Sequence, residues 1–344
     1  MSKILITGGN GFIGSHIVEA FLEKGHEIIC IVRQHSNQKN LEGLNVKIVH
    51  GDVSDKGSIF TYFEDIDFVI HNASLVKDWG DWNTFYNVNV QGTLNVLELC
   101  KENDIIEILM TGTVSSYGEE HCVRVKNEKS PFNSHYDYFM DKIFPCKMNF
   151  YRDSKRIAVE KASEYADDHD LNLTIIEPVW VYGEREFSSG FYEYLKSVED
   201  GMRYMPGSKK NKFHVVYVKD LAKAYYLVFE KKLEGINRFI IGNKNSDNMH
   251  SLYEKFCEEV GLNMPRNIPK ILIYPIAFII ELFATISKSK NAPLLTRGRV
   301  NMFYDNIEYS IDKAQKILGF QPEVLLDEGI RKTVKWYKDN GYLK

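Results

Sequence analysis

Two tyrosine–lysine pairs in this chain have the residue types and the spacing needed for proton transfer to an alcohol or a ketone. They are Tyr138 with Lys142 and Tyr151 with Lys155. On a helix, residues four apart share one face, so the lysine ammonium can lower the pKa of the tyrosine phenol. A phenol tuned in this way can give or take a proton while hydride moves to or from a bound cofactor.

The surrounding sequence favours the second pair. Pro145 closely follows the first pair, so that segment is predicted to be short and irregular. The second pair opens an uninterrupted helical pattern through 156–166 that leads to a predicted strand at 173–177. A hydroxyl-rich run at 111–118 follows another predicted strand, at the edge where a nicotinamide should lie. The sequence therefore predicts Tyr151 as the proton-transferring residue.

A glycine-rich loop near the start of the chain provides a place for the cofactor. Its glycines are Gly8, Gly11 and Gly14. The first permits a tight turn, the second lets the backbone approach a pyrophosphate, and the third allows the next helix to lie close to the strand. Before them, Ile4–Ile6 predicts a buried strand, and Phe12 and Ile13 begin an apolar pattern of helical spacing. The N-terminus of that helix would face the phosphates.

Strand and helix patterns alternate through the first half of the chain. Strands are predicted at 4–6, 27–32, 46–49, 67–71, 105–110 and 173–177, and a long amphipathic helix at 87–100. This alternation predicts the α/β class, with a doubly wound parallel (Rossmann) sheet. Residues 1–178 are predicted to form the dinucleotide-binding domain with the catalytic helix. Residues 179–344 are predicted to form mainly a smaller substrate-binding lobe, with segments near 213–242 returning to the sheet.

The end of the second predicted strand bears on which dinucleotide binds. Many NAD sites place Asp or Glu there to hold the ribose 2′-hydroxyl, but this chain has Val32 followed by Arg33. A guanidinium suits a 2′-phosphate, so the sequence favours NADP over NAD. The alternative is that Arg33 is solvated and the site accepts either cofactor.

Further cofactor contacts are predicted at the ends of the next strands. Asp52 either receives the adenine amino group or caps the following helix. Small residues at 72–74 would let the backbone pass close to a ribose. The residues predicted to line the cofactor site are Gly8, Gly11, Phe12, Ile13, Gly14, Arg33, Asp52, Val53, Ala73, Ser74, Tyr151, Lys155 and Pro178.

Composition sets the broad class of the protein. With 344 residues, 44% of them hydrophobic, the chain can bury a sizeable core, and its net charge of -4 gives no basic footprint for nucleic acid. The five cysteines, Cys30, Cys100, Cys122, Cys146 and Cys257, include no C-x-x-C pair. They indicate a reduced protein with no metal site rather than a disulfide scaffold. A cytoplasmic location is the default expectation, because the first residues already read as a strand.

Two apolar stretches leave alternatives open. Trp79-Gly-Asp-Trp82 with Phe85 would form either packing for a lid or a wall for a substrate. The stretch 271–286 is the most apolar in the chain, but it is short for a bilayer crossing and contains Pro275 and Glu281. Its composition favours a buried helix and leaves open a substrate wall or a peripheral membrane contact.

Together these residues resemble the extended short-chain dehydrogenase/reductases, also called the NAD-dependent epimerase/dehydratase family. The shared motifs are Thr7-Gly-Gly-x-Gly-Phe-Ile-Gly14, Gly51-Asp52, Asn89-x-x-Gly-Thr93, Tyr151-x-x-Ser-Lys155, Glu177-Pro-x-x-x-Tyr-Gly183, Val218-x-Asp-Leu-Ala222 and Leu318-Gly-Phe-x-Pro322. The resemblance implies that Thr113, with Ser115 as second choice, holds the substrate oxygen. It also implies that Tyr151 is the general acid or base, and that Lys155 holds the nicotinamide ribose. A homodimer through the helices near Asn89 and Tyr151 is implied as well.

The chain departs from the family pattern at two positions. Glu177 stands where the family usually has arginine before the proline. Phe213 stands where members acting on nucleotide sugars carry an arginine that clamps the diphosphate, and the nearby lysines cannot reproduce a bidentate clamp. Arg297 and Arg299 would either bind an anion or be solvated.

The resemblance is strongest to the branch with 3β-hydroxysteroid dehydrogenases, dihydroflavonol reductases and hopanoid-associated epimerase-like proteins. It implies an NADP-preferring oxidoreductase that interconverts a secondary alcohol and a ketone on a mainly apolar small-molecule substrate, sterol-like or flavonoid-like. One alternative is a nucleotide-sugar epimerase or dehydratase that uses the nicotinamide transiently. The other is a non-catalytic NADP-binding regulator.

Overall fold

The computed structural model describes residues 1–118, 123–187 and 190–344. Its strands are β1 (Lys3–Thr7), β2 (Glu27–Val32), β3 (Lys47–His50), β4 (Phe68–His71), β5 (Glu107–Thr111), β6 (Asn172–Pro178), β7 (Trp180–Tyr182), β8 (Tyr204–Pro206), β9 (Lys212–Phe213), β10 (Val215–Tyr217), β11 (Ile236–Ile241), β12 (Asp247–Asn248) and β13 (Arg266–Ile268). Its α-helices are α1 (Phe12–Leu22), α2 (Lys56–Ile59), α3 (Trp82–Phe85), α4 (Gly92–Glu102), α5 (Met148–Asp168), α6 (Phe191–Glu199), α7 (Val218–Lys231), α8 (Met249–Val260), α9 (Lys270–Ile286), α10 (Arg297–Met302) and α11 (Leu326–Asp339).

The main sheet has the strand order β11-β6-β5-β4-β1-β2-β3, and every neighbouring pair is parallel. The chain moves outward from β1 to β3 and then crosses back to β4, so the strand order reverses between β1 and β4. In doubly wound sheets ligands bind beyond the carboxyl ends of the strands at this point. The predicted fold class is confirmed.

Helices cover both faces of this sheet, which explains its uninterrupted apolar strands. Along β1, Ile4 and Ile6 belong to one buried cluster and Leu5 to the other, because alternate side chains point to opposite faces. Residues of α1 and α7 complete the first cluster, and residues of α4 and α5 complete the second. The helix after the glycine loop and the predicted catalytic helix are therefore anchored on opposite faces of the same sheet.

Within the segment 213–242, β10 pairs with β7 in a separate two-stranded sheet and does not join the main sheet. The chain then forms α7, which packs against α1, and returns to the main sheet with β11, which pairs with β6. The long helix predicted at 87–100 is also more complex, because α3 and α4 are joined by a π-helical stretch at Tyr86–Gln91.

The expectation that 271–286 is a buried helix is wrong. The stretch does form a helix, α9, but only Ile273, Ala277 and Glu281 of it are buried. Ile271 is 81% exposed and Phe283 is 69% exposed. In the ranges that the structure describes, no helix is both long and apolar enough to cross a bilayer.

The four cysteines within the described ranges are buried free thiols: Cys30, Cys100, Cys146 and Cys257. Burial raises the pKa of each of these thiols, so they remain protonated and unreactive near neutral pH. Cys122 lies outside the described residues.

The unusual Glu177 at the end of β6 is fully buried, and its charge is balanced from β11. Arg238 donates to Glu177 Oε1 at 3.0 Å, and the Tyr117 hydroxyl donates to Oε2 at 2.6 Å. Arg238 also donates to the Tyr117 oxygen. Burial raises the pKa of Glu177, and the arginine opposes that effect. The glutamate that departs from the resembled motif is thus accompanied by an arginine on the adjacent strand.

Replacing Arg238 by methionine should destabilise the protein by about 3–5 kcal/mol, because it leaves a buried carboxylate without its counter-charge. The matched control is Lys255→Met, which removes a lysine from an exposed ion pair with Asp327 and should cost less than about 1 kcal/mol. Urea unfolding followed by circular dichroism measures both values. Equal losses in the two variants would contradict the buried-pair account.

Candidate active site

The turn from β1 into α1 leaves room for a phosphate because it is built from glycines. A Cβ added at Gly14 would lie 2.1 Å from the Gly8 carbonyl oxygen, so only glycine lets α1 approach the strand this closely. A Cβ at Gly11 would meet only that same oxygen, at 3.3 Å, so the outer side of this glycine is open. In the described part of the chain no side chain caps α1. Its first N–H groups therefore fit an anionic pyrophosphate.

A directed chain of hydrogen bonds through His71 fixes the strand ends beside this loop. Thr93 donates to the Asn89 carbonyl at 2.7 Å, so it must accept at 3.0 Å from His71 Nε2. His71 Nδ1 then accepts from the Thr7 hydroxyl at 2.9 Å, and Thr7 accepts from the Ala73 amide at 3.1 Å. Burial, together with the nearby charge of Lys155, lowers the pKa of His71 to about 3. The ring is therefore neutral, as this chain requires.

Tyr151 and Lys155 both lie on α5, as the spacing predicts. Lys155 is buried, and its Nζ donates to the Thr111 carbonyl oxygen at the end of β5 at 2.7 Å. Burial lowers the pKa of this ammonium to about 8, although the nearby Glu177 carboxylate raises it. Tyr151 lies one turn earlier on the same face of α5, so this face meets the carboxyl edge of the sheet.

Thr113, the proposed hydroxyl partner, begins the 3₁₀ turn at Val114–Tyr117 directly after β5. Its Oγ1 accepts from the Ser115 amide at 3.2 Å and donates to the Ser115 hydroxyl at 3.1 Å. The two candidate hydroxyls therefore lie side by side. Both are buried, at the end of the strand whose last carbonyl, that of Thr111, binds Lys155.

The other tyrosine–lysine pair does not lie on α5. Tyr138 is buried in the irregular segment before this helix, where its hydroxyl accepts a hydrogen bond from Arg152 at 3.0 Å. Lys142 is exposed in the same segment. The irregular geometry expected from Pro145 is present.

Asn89 is a buried connector whose role the sequence analysis missed. Its Oδ1 accepts from the Leu75 amide at 2.7 Å and from Ser74 at 3.1 Å, and its Nδ2 donates to Ser154 at 3.0 Å. It thus ties the loop after β4 to α5, from within the π-helical stretch. The motif Asn89-x-x-Gly-Thr93 was visible in the sequence, but apolar periodicity does not reveal a π-helical stretch.

The remaining predicted cofactor residues lie along the carboxyl edge of the sheet. Arg33 is exposed just beyond β2, and Pro178 is buried as the last residue of β6. The helix-capping interpretation of Asp52 is wrong, because Asp55 caps α2 while Asp52 accepts from the amide and hydroxyl of Ser54.

Two of the predicted cofactor residues, Val53 and Ala73, also make packing contacts in the structure. Val53 is buried, and a Cβ added at Gly92 would lie 2.8 Å from it, so it packs against the start of α4. A Cβ at Gly8 would lie 2.9 Å from Ala73, so the loop after β4 lies against the glycine turn.

The two arginines considered for anion binding form ion pairs with carboxylates of the protein itself. Arg297 is buried and pairs with Glu281 at 2.9 Å, and Arg299 pairs with Asp78. Arg297 is therefore not solvated, and each of the two guanidinium groups already has a carboxylate partner within the protein. Phe213 is fully buried and contacts Trp180, so an aromatic ring fills the position of the nucleotide-sugar arginine.

The aromatic residues of the 79–85 segment serve mainly in packing. Trp79 is buried, and its indole N–H donates to the Ser289 carbonyl at 2.9 Å, joining this segment to the chain after α9. Trp82 and Phe85 both contact the ring of Phe150 on α5. These contacts correspond to the packing alternative.

Comparisons with known proteins bear on the family and the fold. A family model described as "NAD dependent epimerase/dehydratase family" matches residues 4–242. A 2-alkyl-3-oxoalkanoate reductase of Stenotrophomonas maltophilia is 25% identical, with 96% of this chain and 98% of that protein covered. The sterol-4-alpha-carboxylate 3-dehydrogenase (decarboxylating) of Mus musculus is also 25% identical, with 97% and 90% covered. The crystal structure of a UDP-glucose 4-epimerase from Thermotoga maritima with UDP-glucose superposes with a TM-score of 0.78 at 22% identity, covering 98% and 99%.

Replacing Gly14 by alanine should abolish dinucleotide binding, because the new Cβ would displace the Gly8 carbonyl and close the phosphate turn. The matched control is Gly57→Ala in α2, where a Cβ would meet only Asp55 Oδ1 at an ordinary 3.4 Å. Calorimetric titration with NADPH and NADH measures binding, and circular dichroism verifies the fold. Wild-type affinity in Gly14→Ala would contradict the assignment of this turn.

Proposed function

Since the chain belongs to the NAD dependent epimerase/dehydratase family, we propose that it is an NADP-preferring oxidoreductase that interconverts a secondary alcohol and a ketone on a mainly apolar substrate. Membership confirms the resemblance inferred from the motifs, and with it the expectation of an NAD(P)-dependent enzyme. The observation that carries the proposal is the face of α5 on which Tyr151 precedes Lys155 by one turn. The bond from Lys155 to Thr111 holds that face at the end of β5.

Each polar group has a distinct part in the proposed reaction. Tyr151 gives the proton to the substrate oxygen during reduction and takes it during oxidation. The positive charge of Lys155 favours the phenolate form of Tyr151, and Thr113 holds the substrate oxygen by a hydrogen bond. A nicotinamide held at this edge of the sheet would supply or accept the hydride. Because the pKa of Lys155 is about 8, the ammonium form prevails at neutral pH.

Two observations support an apolar substrate. The position that carries a diphosphate-clamping arginine in nucleotide-sugar enzymes holds the buried ring of Phe213, and Arg297 and Arg299 are occupied by carboxylates. The names of the two relatives, a 2-alkyl-3-oxoalkanoate reductase and a sterol-4-alpha-carboxylate 3-dehydrogenase, both describe largely hydrocarbon molecules that react at an oxygen-bearing carbon.

Tyr151→Phe should lower turnover by about 10²–10⁴-fold, because it removes the proton donor, while dinucleotide binding stays unchanged. Tyr138→Phe is the matched control and should retain activity. The assay follows absorbance of the reduced nicotinamide with 3-hydroxysterols, 3-hydroxy fatty acids, flavonoid-like ketones and UDP-glucose. Conversion of UDP-glucose without net cofactor consumption would replace the proposal with an epimerase or dehydratase. Binding without turnover of any compound would favour a regulator.

Arg33→Ala should weaken NADP binding by about tenfold or more and leave NAD binding nearly unchanged, because a guanidinium–phosphate contact is a strong charge-assisted bond. Lys101→Ala removes an exposed cation near the end of α4 and serves as the control. Calorimetric titration of each variant with both dinucleotides gives the two affinities. Equal losses for NADP and NAD would contradict contact with the 2′-phosphate.

A further inference from the structure

The exposed side of α9 is apolar along its whole length. Every exposed residue between the two ends of this helix is hydrophobic: Ile271, Leu272, Pro275, Ile276, Ile279, Ile280, Phe283 and Ile286. At about 100° per residue these positions cover one continuous half of the helix. A surface helix in water normally turns polar residues outward, so this face is built for contact with an apolar medium.

A neighbouring segment extends the same surface. Phe139 and Ile143 are 60% and 67% exposed, and the ring of Phe139 lies 5.2 Å from that of Phe278 on α9. The segment is held there from inside the protein, because Arg297 donates to the carbonyl oxygens of Phe139 and Phe144. Arg297 is in turn paired with Glu281 of α9. Helix and segment therefore form one fixed apolar platform, which we call the α9 platform.

The charges around the platform are positive, although the whole chain has a net charge of -4. Residues 261–300 contain one acid, Glu281, and six bases: Arg266, Lys270, Lys288, Lys290, Arg297 and Arg299. The last two are neutralised by Glu281 and Asp78. The other four bases flank the two ends of α9. In the neighbouring segment, the exposed Asp137 and Lys142 offset each other.

We propose that the α9 platform binds the surface of an anionic phospholipid membrane, with α9 lying parallel to the bilayer plane. The apolar half of the helix enters the boundary between headgroups and acyl chains, and the flanking lysines contact the lipid phosphates. A crossing orientation does not fit, because the 17 residues of α9 extend only about 25 Å, against about 30 Å of hydrocarbon.

The platform adjoins the candidate active site. Ser289, just after α9, accepts from the Trp79 indole, and Lys147, just before α5, lies over the same ring at 4.0 Å. Tyr151 follows one turn later on α5. If the proposed function holds, an apolar substrate would pass from the lipid to Tyr151 without crossing water; this step rests on that function, whereas membrane binding does not.

Vesicle flotation with the full chain tests the proposal without any activity measurement. We expect binding to vesicles of an equal mixture of phosphatidylcholine and phosphatidylglycerol, and much weaker binding to phosphatidylcholine alone. Ile279→Glu/Phe283→Glu should lower the affinity by at least about a hundredfold, since two large apolar side chains no longer enter the bilayer. Phe60→Glu/Leu325→Glu, which alters two comparably exposed apolar residues on other elements, should bind like the wild type.

A charge-reversal variant distinguishes binding to lipid phosphates from nonspecific hydrophobic binding. Lys288→Glu/Lys290→Glu should weaken binding to the anionic vesicles by at least about tenfold, and added salt should act in the same direction. Equal binding to neutral and anionic vesicles would overturn the assignment of the lysines.

Two results would overturn the membrane assignment itself. The first is no flotation together with a wild-type oligomer that Ile279→Glu/Phe283→Glu dissociates in sedimentation, which would make the platform an interface between two copies. The second is no flotation together with a raised KM of the same variant for a water-soluble ketone, which would make it a wall for the substrate. A homodimer through α4 and α5 would leave these comparisons unchanged, because both helices lie outside the platform.

Discussion

The site depends on one neutral imidazole held at the point where the strand order reverses. His71 connects Thr7 on β1 with Thr93 on α4, and Thr7 in turn fixes the Ala73 amide. Each bond in this series points in one direction only, so a protonated ring would break it at the Thr7 hydroxyl. Burial keeps the ring neutral by lowering its pKa to about 3. The relative positions of the glycine turn, the loop after β4 and α4 therefore depend on the burial that keeps the His71 ring uncharged.

Features that depend on short stretches of sequence were predictable. The alternation of apolar strands and amphipathic helices indicated the parallel sheet, because strands buried on both faces must be apolar throughout. The four-residue spacing of Tyr151 and Lys155, with no proline after it, placed both on one helix. Gly8 and Gly14 predicted that two backbone segments approach each other closely, and the structure has this close approach.

Features that join distant segments were not predictable in the same way. The buried Glu177 gave no indication that its counter-charge lies on β11, because pairing across strands follows from topology rather than from spacing. The same holds for Arg297 and Glu281, which a single sequence presents as a surface cation and an interruption of an apolar run. For α9, the apolar composition indicated that the helix avoids water. It did not indicate what the exposed apolar face contacts instead. The π-helical turn at Asn89 is invisible because it shifts the helix register locally.

The pairing of Glu177 with Arg238 has a consequence for synthesis on the ribosome. The two residues are 61 positions apart, and the glutamate is made first. At about 5–20 residues per second, β6 waits roughly 3–12 s for its partner strand. During that interval the nascent chain carries a carboxylate that cannot be buried favourably, so the edge of the sheet at β6 stays hydrated and open. Complete assembly of the nucleotide-binding sheet is thereby delayed until α7 and β11 have left the ribosome.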